Sequence, residues 1–337
     1  DTQVEVLVWS DIVRISMSNS ILATYRQLVQ TAWVYIASGA LWRLMQLRKG
    51  PVIAALYPVG MLLLQLLVAI ASGLLFYKAV TFFWGPPWFK GMAGALGVVV
   101  GWYVLKWFKK KDGKFFAYYL MHDYAFGAAT RGAYPPELET RIDAFGDEIA
   151  RALTSDVDEV LVVGHSSGAH LAVSILADLI RAGRVPRNGP ALGFLTLGQV
   201  VPMVSFLRDA HRLRADLRYL SLRDELCWVD VTAPGDGCAF ALCDPVAVSG
   251  VAPKGKRWPL VFSAAFTQSL SPARWRALRW RFFRLHFQYL CAFDMPKDYD
   301  YFQITAGPHS LSERYAGRPA SRSRVVKPVN KFTSTAP

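Results

Sequence analysis

The chain has 337 residues, of which 53% are hydrophobic and only 19% charged, yet its formal net charge is +13. This excludes disorder over most of the length, because disordered chains are poor in apolar residues, and 25 glycines with 4 cysteines exclude a collagen or a small disulfide scaffold. A chain both apolar and basic is either a membrane protein with basic flanks or a nucleic-acid binder with a large core. No basic-aromatic nucleic-acid module is recognisable, which argues against nucleic acid as a partner.

In chain order, Val4–Trp9 alternates and is β-rich, which predicts a first strand adding to the main sheet. Residues 20–47 read as helical, with Ile21, Leu28, Ala32 and Tyr35 near one face. From Val52 to Tyr77 there are 26 residues without a charge, long enough to cross a bilayer as a helix. A second run, Gly91–Leu105, has 15 uncharged residues and continues past Lys106 to Phe108. Between them Trp84-Gly-Pro-Pro-Trp-Phe-Lys90 reads as an interfacial turn. Arg43, Arg48 and Lys49 precede the pair, and Lys106, Lys109, Lys110, Lys111 and Lys114 follow it. The positive-inside bias predicts a transmembrane hairpin with both ends, and the remaining domain, in the cytoplasm, anchored in an inner or plasma membrane. Cys227, Cys238, Cys243 and Cys291 lack CxxC spacing, which argues against zinc and for reduced thiols. Nothing in the sequence calls for a metal or another cofactor. The first residue is Asp, so a preceding segment is expected.

After the hairpin, Lys114–Leu120 is a second strand candidate, and a helix follows Pro135-Pro136 with Leu138, Ile142, Phe145, Ile149 and Leu153 on its buried face. Glu159–Val163 is a continuous apolar run of the kind buried on both faces of a parallel sheet. A helix at Ala169–Ile180, a strand at Leu192–Leu197, a helix at 203–220, a strand at Cys227–Val231 and a last strand at Tyr299–Thr305 complete the pattern. Such alternation predicts an α/β fold with a mostly parallel sheet flanked by helices. The expected organisation is residues 1–50 as part of that fold, 51–110 as the hairpin, 111–316 as the catalytic domain and 317–337 as a basic tail without structure.

Gly164-His-Ser-Ser-Gly168 fits the G-x-S-x-G elbow, in which a serine sits on a tight strand-to-helix turn at the C-terminal edge of a sheet. The strand before it and the helix after it supply the required context. Val162-Val-Gly-His-Ser-Ser-Gly-Ala-His170 resembles the nucleophile region of α/β-hydrolase-fold lipases, particularly class 3 lipases, departing from their GHSxGG-like elbow at Ala169. The resemblance covers roughly residues 114–310, with strong detail only at the elbow. It implies a Ser-His-Asp triad in the chain order Ser, Asp, His, with Ser166 as nucleophile and the Ser167 N–H as an oxyanion donor. A second oxyanion donor is expected at Met121–Tyr124, after the strand predicted at 115–120.

Asp236, in the Pro234-Gly235-Asp236 turn just beyond a strand, is the leading acid; Asp244, in Asp-Pro-Val246, resembles the D-x-V segment of class 3 lipases and is its rival. Asp230 lies inside the strand. His165 and His170 flank the elbow and are expected to face elsewhere, while His122 and His211 precede the acid. His286, in His-Phe-Gln-Tyr-Leu290, resembles the H-x-x-Y stretch around the catalytic histidine of some class 3 lipases, and His309, in a loop after the last predicted strand, is the alternative base. These readings imply a membrane-anchored serine ester hydrolase acting on an acyl-ester or lipid substrate. The alternative is a catalytically silent hydrolase-like membrane scaffold. The stretch from Arg274 to Arg284 mixes arginines with tryptophan and phenylalanine and is a candidate contact for anionic headgroups, although Trp275, Leu278, Phe282 and Leu285 also fit a core-facing stripe.

Overall fold

The computed structural model describes residues 1–12, 20–82 and 85–337, so Trp84 of the expected interfacial turn lies outside the described residues. The chain divides into two compact units: Asp1–Trp9, Val34–Ala54 and Thr130–Pro337 form one, and Ser10–Trp33 with Ala55–Ala129 the other.

The larger unit is built on four parallel strands in the order β1 (Glu159–His165), β2 (Ala191–Leu197), β3 (Cys227–Thr232) and β4 (Leu260–Ser263). Strand side chains alternate between faces, so Leu195, Leu197, Val229, Val231 and Phe262 meet Leu285, Tyr289 and Leu311 in one apolar core. The intervening positions, such as Phe194 and Trp228, stack with ring centroids 5.1 Å apart. Helices Pro136–Ala152, Gly168–Arg181 and His211–Leu220 pack beside one another, the second of them also on β1. Covering both faces is what makes β2 and β3 read as unbroken apolar runs. The result is an α/β fold. The four-residue strand β4 escapes sequence reading because it is too short to show a period.

Several expected elements differ. Val4–Trp9 is not a strand; Val4, Val6 and Val8 are exposed, and no sheet edge pairs with them among the described residues. The helix expected over 20–47 is two, Ile21–Ala37 and Ala40–Leu47, separated at Gly39, whose φ of 73° ends the first. Residues 203–220 are likewise divided into helices Val201–Ser205 and His211–Leu220. Tyr299–Thr305 is not a strand, because the Asp300 carboxylate accepts from Gln303 N at 3.0 Å and caps the helix Tyr301–Thr305. The basic tail is structured. Val325 N donates to Leu242 O at 2.7 Å, Asp244 N donates to Val325 O at 3.0 Å, and Val329 N donates to Val248 O at 3.3 Å. Side chains complete this strap. Arg214, fully buried, donates to Ser334 O, Ser205 O, Leu207 O and Arg208 O, and Asn330 Nδ2 donates to Ser205 O. Charged and polar composition suggested disorder, but main-chain pairing over the ends of helices and strands supplies the order that apolar burial does not.

The smaller unit contains helix Pro87–Lys110 and most of helix Lys49–Thr81, both long and apolar enough to cross a membrane. A Cβ on Gly73 would lie 2.5 Å from Gly97 O, and one on Gly101 would lie 3.0 Å from Ala69 O. The two helices therefore run antiparallel with their backbones nearly touching, which only small residues permit. The strand expected at Lys114–Leu120 is overturned: helices Asp112–Phe115 and Ala117–Ala129 occupy it. Asp112 accepts from Tyr118 N at 2.9 Å and Tyr119 N at 3.0 Å, capping the second helix, whose buried Ala117, Met121, Ala125 and Ala128 keep a helical period. Helical cap and period override the β preference of the aromatic run.

Candidate functional site

Ser166 sits between β1 and helix Gly168–Arg181 with φ of 55°, a backbone conformation that L side chains rarely adopt. Two contacts hold it there. Ser166 N donates to Leu197 O at 2.9 Å at the end of β2, and the helix turns so tightly that a Cβ on Gly164 would lie 2.8 Å from Ala169 Cα. Gly164 is thus sterically obligatory, whereas a Cβ on Gly168 would meet nothing within 4 Å. Ser167 stands at the N-cap of the helix, where main-chain N–H groups lack intrahelical partners.

Asp236 lies beyond β3, in a turn closed by Asp236 N donating to Ala233 O at 2.9 Å. Its buried carboxylate accepts three hydrogen bonds: from Cys238 N on Oδ1 at 2.9 Å, and on Oδ2 from His286 Nδ1 at 2.7 Å and Tyr289 OH at 3.1 Å. Tyr289 OH in turn accepts from Ala233 N at 2.8 Å. With its Nδ1 proton committed to Asp236, the His286 ring is held as the tautomer whose Nε2 is a free acceptor, and that buried Nε2 has no hydrogen-bond partner. The Ser166 hydroxyl does not hydrogen-bond to it.

His165 does not face away from the site. Its Nε2 is 2.9 Å from His286 O, and the two imidazoles pack at 4.6 Å. Burial and the neighbouring His286 lower the His165 pKa to about 4, so it stays neutral and donates from Nε2 to that carbonyl. This bond ties the residue before the serine to the backbone of His286. Gly198, at the end of β2, has φ of 55°, and a Cβ there would lie 3.0 Å from His286 Cε1 and 2.8 Å from Tyr289 Cε2. Sequence reading missed His165, Tyr289 and Gly198 as site residues. The i+3 spacing of Tyr289 from His286 was the available signal.

The remaining candidates stand apart. Asp244 is the N-cap of helix Pro245–Val248, accepting from Val246 N and Ala247 N at 3.1 Å each and pairing with Lys256 Nζ at 2.6 Å. Its Asp-Pro pair is a helix-start signal, with Pro at the first helical position. His309 is exposed and lies beside the capping box formed by Ser310 and Glu313. His170 is buried in its helix, where burial lowers its pKa to about 4. Met121–Tyr124 lies inside helix Ala117–Ala129, whose interior amides are engaged along the helix, so the expected second oxyanion donor does not exist there.

Asp230, fully buried on β3, accepts from Thr196 Oγ1 at 2.6 Å while its other oxygen has no partner. Burial pushes its pKa up to about 8. The folded chain then binds this proton more tightly than the unfolded chain. Its contribution to stability is complete below about pH 4 and is lost as pH rises through about 8, at ~1.4 kcal/mol per pH unit in between. Asp230→Asn is expected to be increasingly more stable than wild type from pH 5 to pH 8. Chemical denaturation at both pH values measures this, and a gap that does not widen would show an ionised carboxylate.

Ligand atoms of Asp236, Cys238 and His286 lie within 4.8 Å of one another, a set able to hold a metal ion. The imidazole–carboxylate hydrogen bond already joins two of them, and burial with the Asp236 charge pushes the Cys238 thiol up to about 12, keeping it protonated. The donor set therefore suits a hydrogen-bonded acid–base pair better than a metal. No family model matches the chain, and neither a curated protein nor a solved structure matches it.

Proposed function

We propose that the chain is a membrane-anchored serine hydrolase that cleaves an acyl ester, with Ser166 as nucleophile, His286 as general base and Asp236 as the group that orients it. The observation that carries this reading is a positive-φ serine on a strand-to-helix turn whose preceding residue, His165, is bonded to the backbone of a buried imidazole with its Nδ1 held by a carboxylate and its Nε2 unpartnered. In the first half-reaction His286 Nε2 takes the Ser166 hydroxyl proton as Oγ attacks the ester carbonyl, and Asp236 stabilises the imidazolium. The imidazolium then protonates the leaving alkoxide. Water deacylates the enzyme by the same route reversed. The Ser167 N–H, at a helix N-terminus, would stabilise the oxyanion.

The two membrane-length helices would anchor the enzyme at the bilayer, where acyl esters are concentrated, and their basic flanks favour a cytoplasmic domain. A fluorophosphonate probe tests the chemistry on the reconstituted full chain. Wild type is expected to label and Ser166→Ala to remain unlabelled. Absence of wild-type labelling in folded protein would favour the silent scaffold.

A further inference from the structure

Residues 276–284 and Phe287 present an exposed surface beside the Asp236–His286 pair. Helices Pro272–Leu278 and Phe282–His286 turn Leu285 fully inward, with Trp275 and Leu278 packed against the core. Arg274 is paired with Asp294 at 3.3 Å. The other four arginines of the stretch, Arg276, Arg279, Arg281 and Arg284, are exposed, and none has a carboxylate partner among the described residues. Between them Trp280 is 72% exposed, Phe282 49% and Phe287 53%. The core-facing stripe expected from the sequence thus holds for Trp275, Leu278 and Leu285 but not for Phe282. Four guanidinium groups without a carboxylate partner, one of them (Arg279) lying over the Trp280 ring at 5.6 Å, form with the exposed rings an unusual surface for water alone.

We propose that this strip docks on an anionic lipid surface, its arginines on headgroup phosphates and its rings in the interfacial layer. Guanidinium forks match phosphate oxygens, and tryptophan and phenylalanine favour the headgroup boundary. The charge selects an anionic surface, and two helices of membrane-spanning length in the same chain favour lipid over nucleic acid as its source. The strip also touches the acid–base pair. A Cβ on Gly235 would lie 2.8 Å from the Trp275 ring, and one on Gly237 would lie 3.1 Å from Phe282, so the two rings bracket the backbone of Asp236. Phe287 packs on His165 with centroids 4.9 Å apart. If the hydrolase reading holds, docking sets the Asp236–His286 pair at the headgroup layer; the docking itself does not depend on that reading.

Hydrogen exchange on the full chain tests the docking, in proteoliposomes of phosphatidylcholine alone or with 30% phosphatidylglycerol. The backbone of residues 276–287 is expected to exchange at least about fivefold more slowly with phosphatidylglycerol, the factor that one basic group near such a surface supplies. The quadruple variant R276S/R279S/R281S/R284S should lose this protection, and the quadruple lysine variant should keep most of it, while peptides from β1 exchange alike in all three as a control for folding. Equal exchange in the two lipids overturns the proposal. So does protection that survives the serine variant, or protection conferred by added RNA and not by phosphatidylglycerol. Fluorophosphonate labelling of the same samples reads the catalytic proposal separately.

Discussion

Asp236→Asn is expected to lower ester turnover by about 10⁴-fold, although it removes no atom from the site. The reason is the donor pattern around the carboxylate. Cys238 N, a fixed backbone donor, faces Oδ1, so the asparagine carbonyl must take that position. Its amide NH₂ then faces His286 Nδ1 and the Tyr289 hydroxyl, both of which can rearrange. Nδ1 becomes the acceptor and the proton moves to Nε2, which in the proposed mechanism can then no longer receive one from Ser166. In serine hydrolases, forcing the triad histidine into the wrong tautomer has a cost of this size. His286→Ala should lose activity on a similar scale, while exposed His309→Ala stays within about twofold. Steady-state kinetics on a soluble ester with each reconstituted variant measures all three. Full activity in Asp236→Asn would remove Asp236 from the mechanism.

The largest effect on stability is expected away from the site, at Arg214→Met. Burial lowers the pKa of this guanidinium to about 10, so it remains charged at neutral pH, and its donors satisfy four main-chain carbonyls. Methionine fills a similar volume but donates nothing. With ~1–3 kcal/mol for each carbonyl left unsatisfied, and water restoring those nearest the surface, a loss of roughly 3–6 kcal/mol is expected. Because Ser334 O is one of the four, the strap should loosen first. Limited trypsin digestion is expected to cut rapidly after Lys331 in the variant and slowly in wild type. Equal resistance would show that the strap is held by its main-chain bonds alone.

What could be read from the sequence depended on the range of the interaction involved. The elbow was legible because everything it needs lies within a few residues: a strand, a small residue at Gly164 and a helix. Helix Pro136–Ala152 was legible from its own apolar period. Asp236 already led Asp244 from its place in a turn just beyond a strand; that Asp244 before Pro245 caps a helix was a further local signal left unused. His286 could be ranked by spacing, but its tautomer depends on Asp236, fifty positions away in sequence, and its backbone on His165. The errors at Lys114–Leu120 and Tyr299–Thr305 share a cause. β propensity was read from aromatic residues, while a single aspartate, Asp112 or Asp300, capped a helix instead. The structured tail was invisible because its partners, Leu242, Val248 and Arg214, lie far back along the chain.

That strap has a temporal implication. Arg43 donates to Val329 O at 2.9 Å across 286 positions, and Arg48 donates to Ala241 O at 2.8 Å across 193. A segment made before the two apolar helices is therefore completed by one made 286 residues later. At ~5–20 residues per second, Arg43 waits roughly 15–60 s for its acceptor. Both apolar helices emerge within that interval, while the segment before them is still unclaimed. On this timetable both are complete before the α/β unit closes, and an early-acting chaperone would find residues 34–48 exposed rather than the sheet.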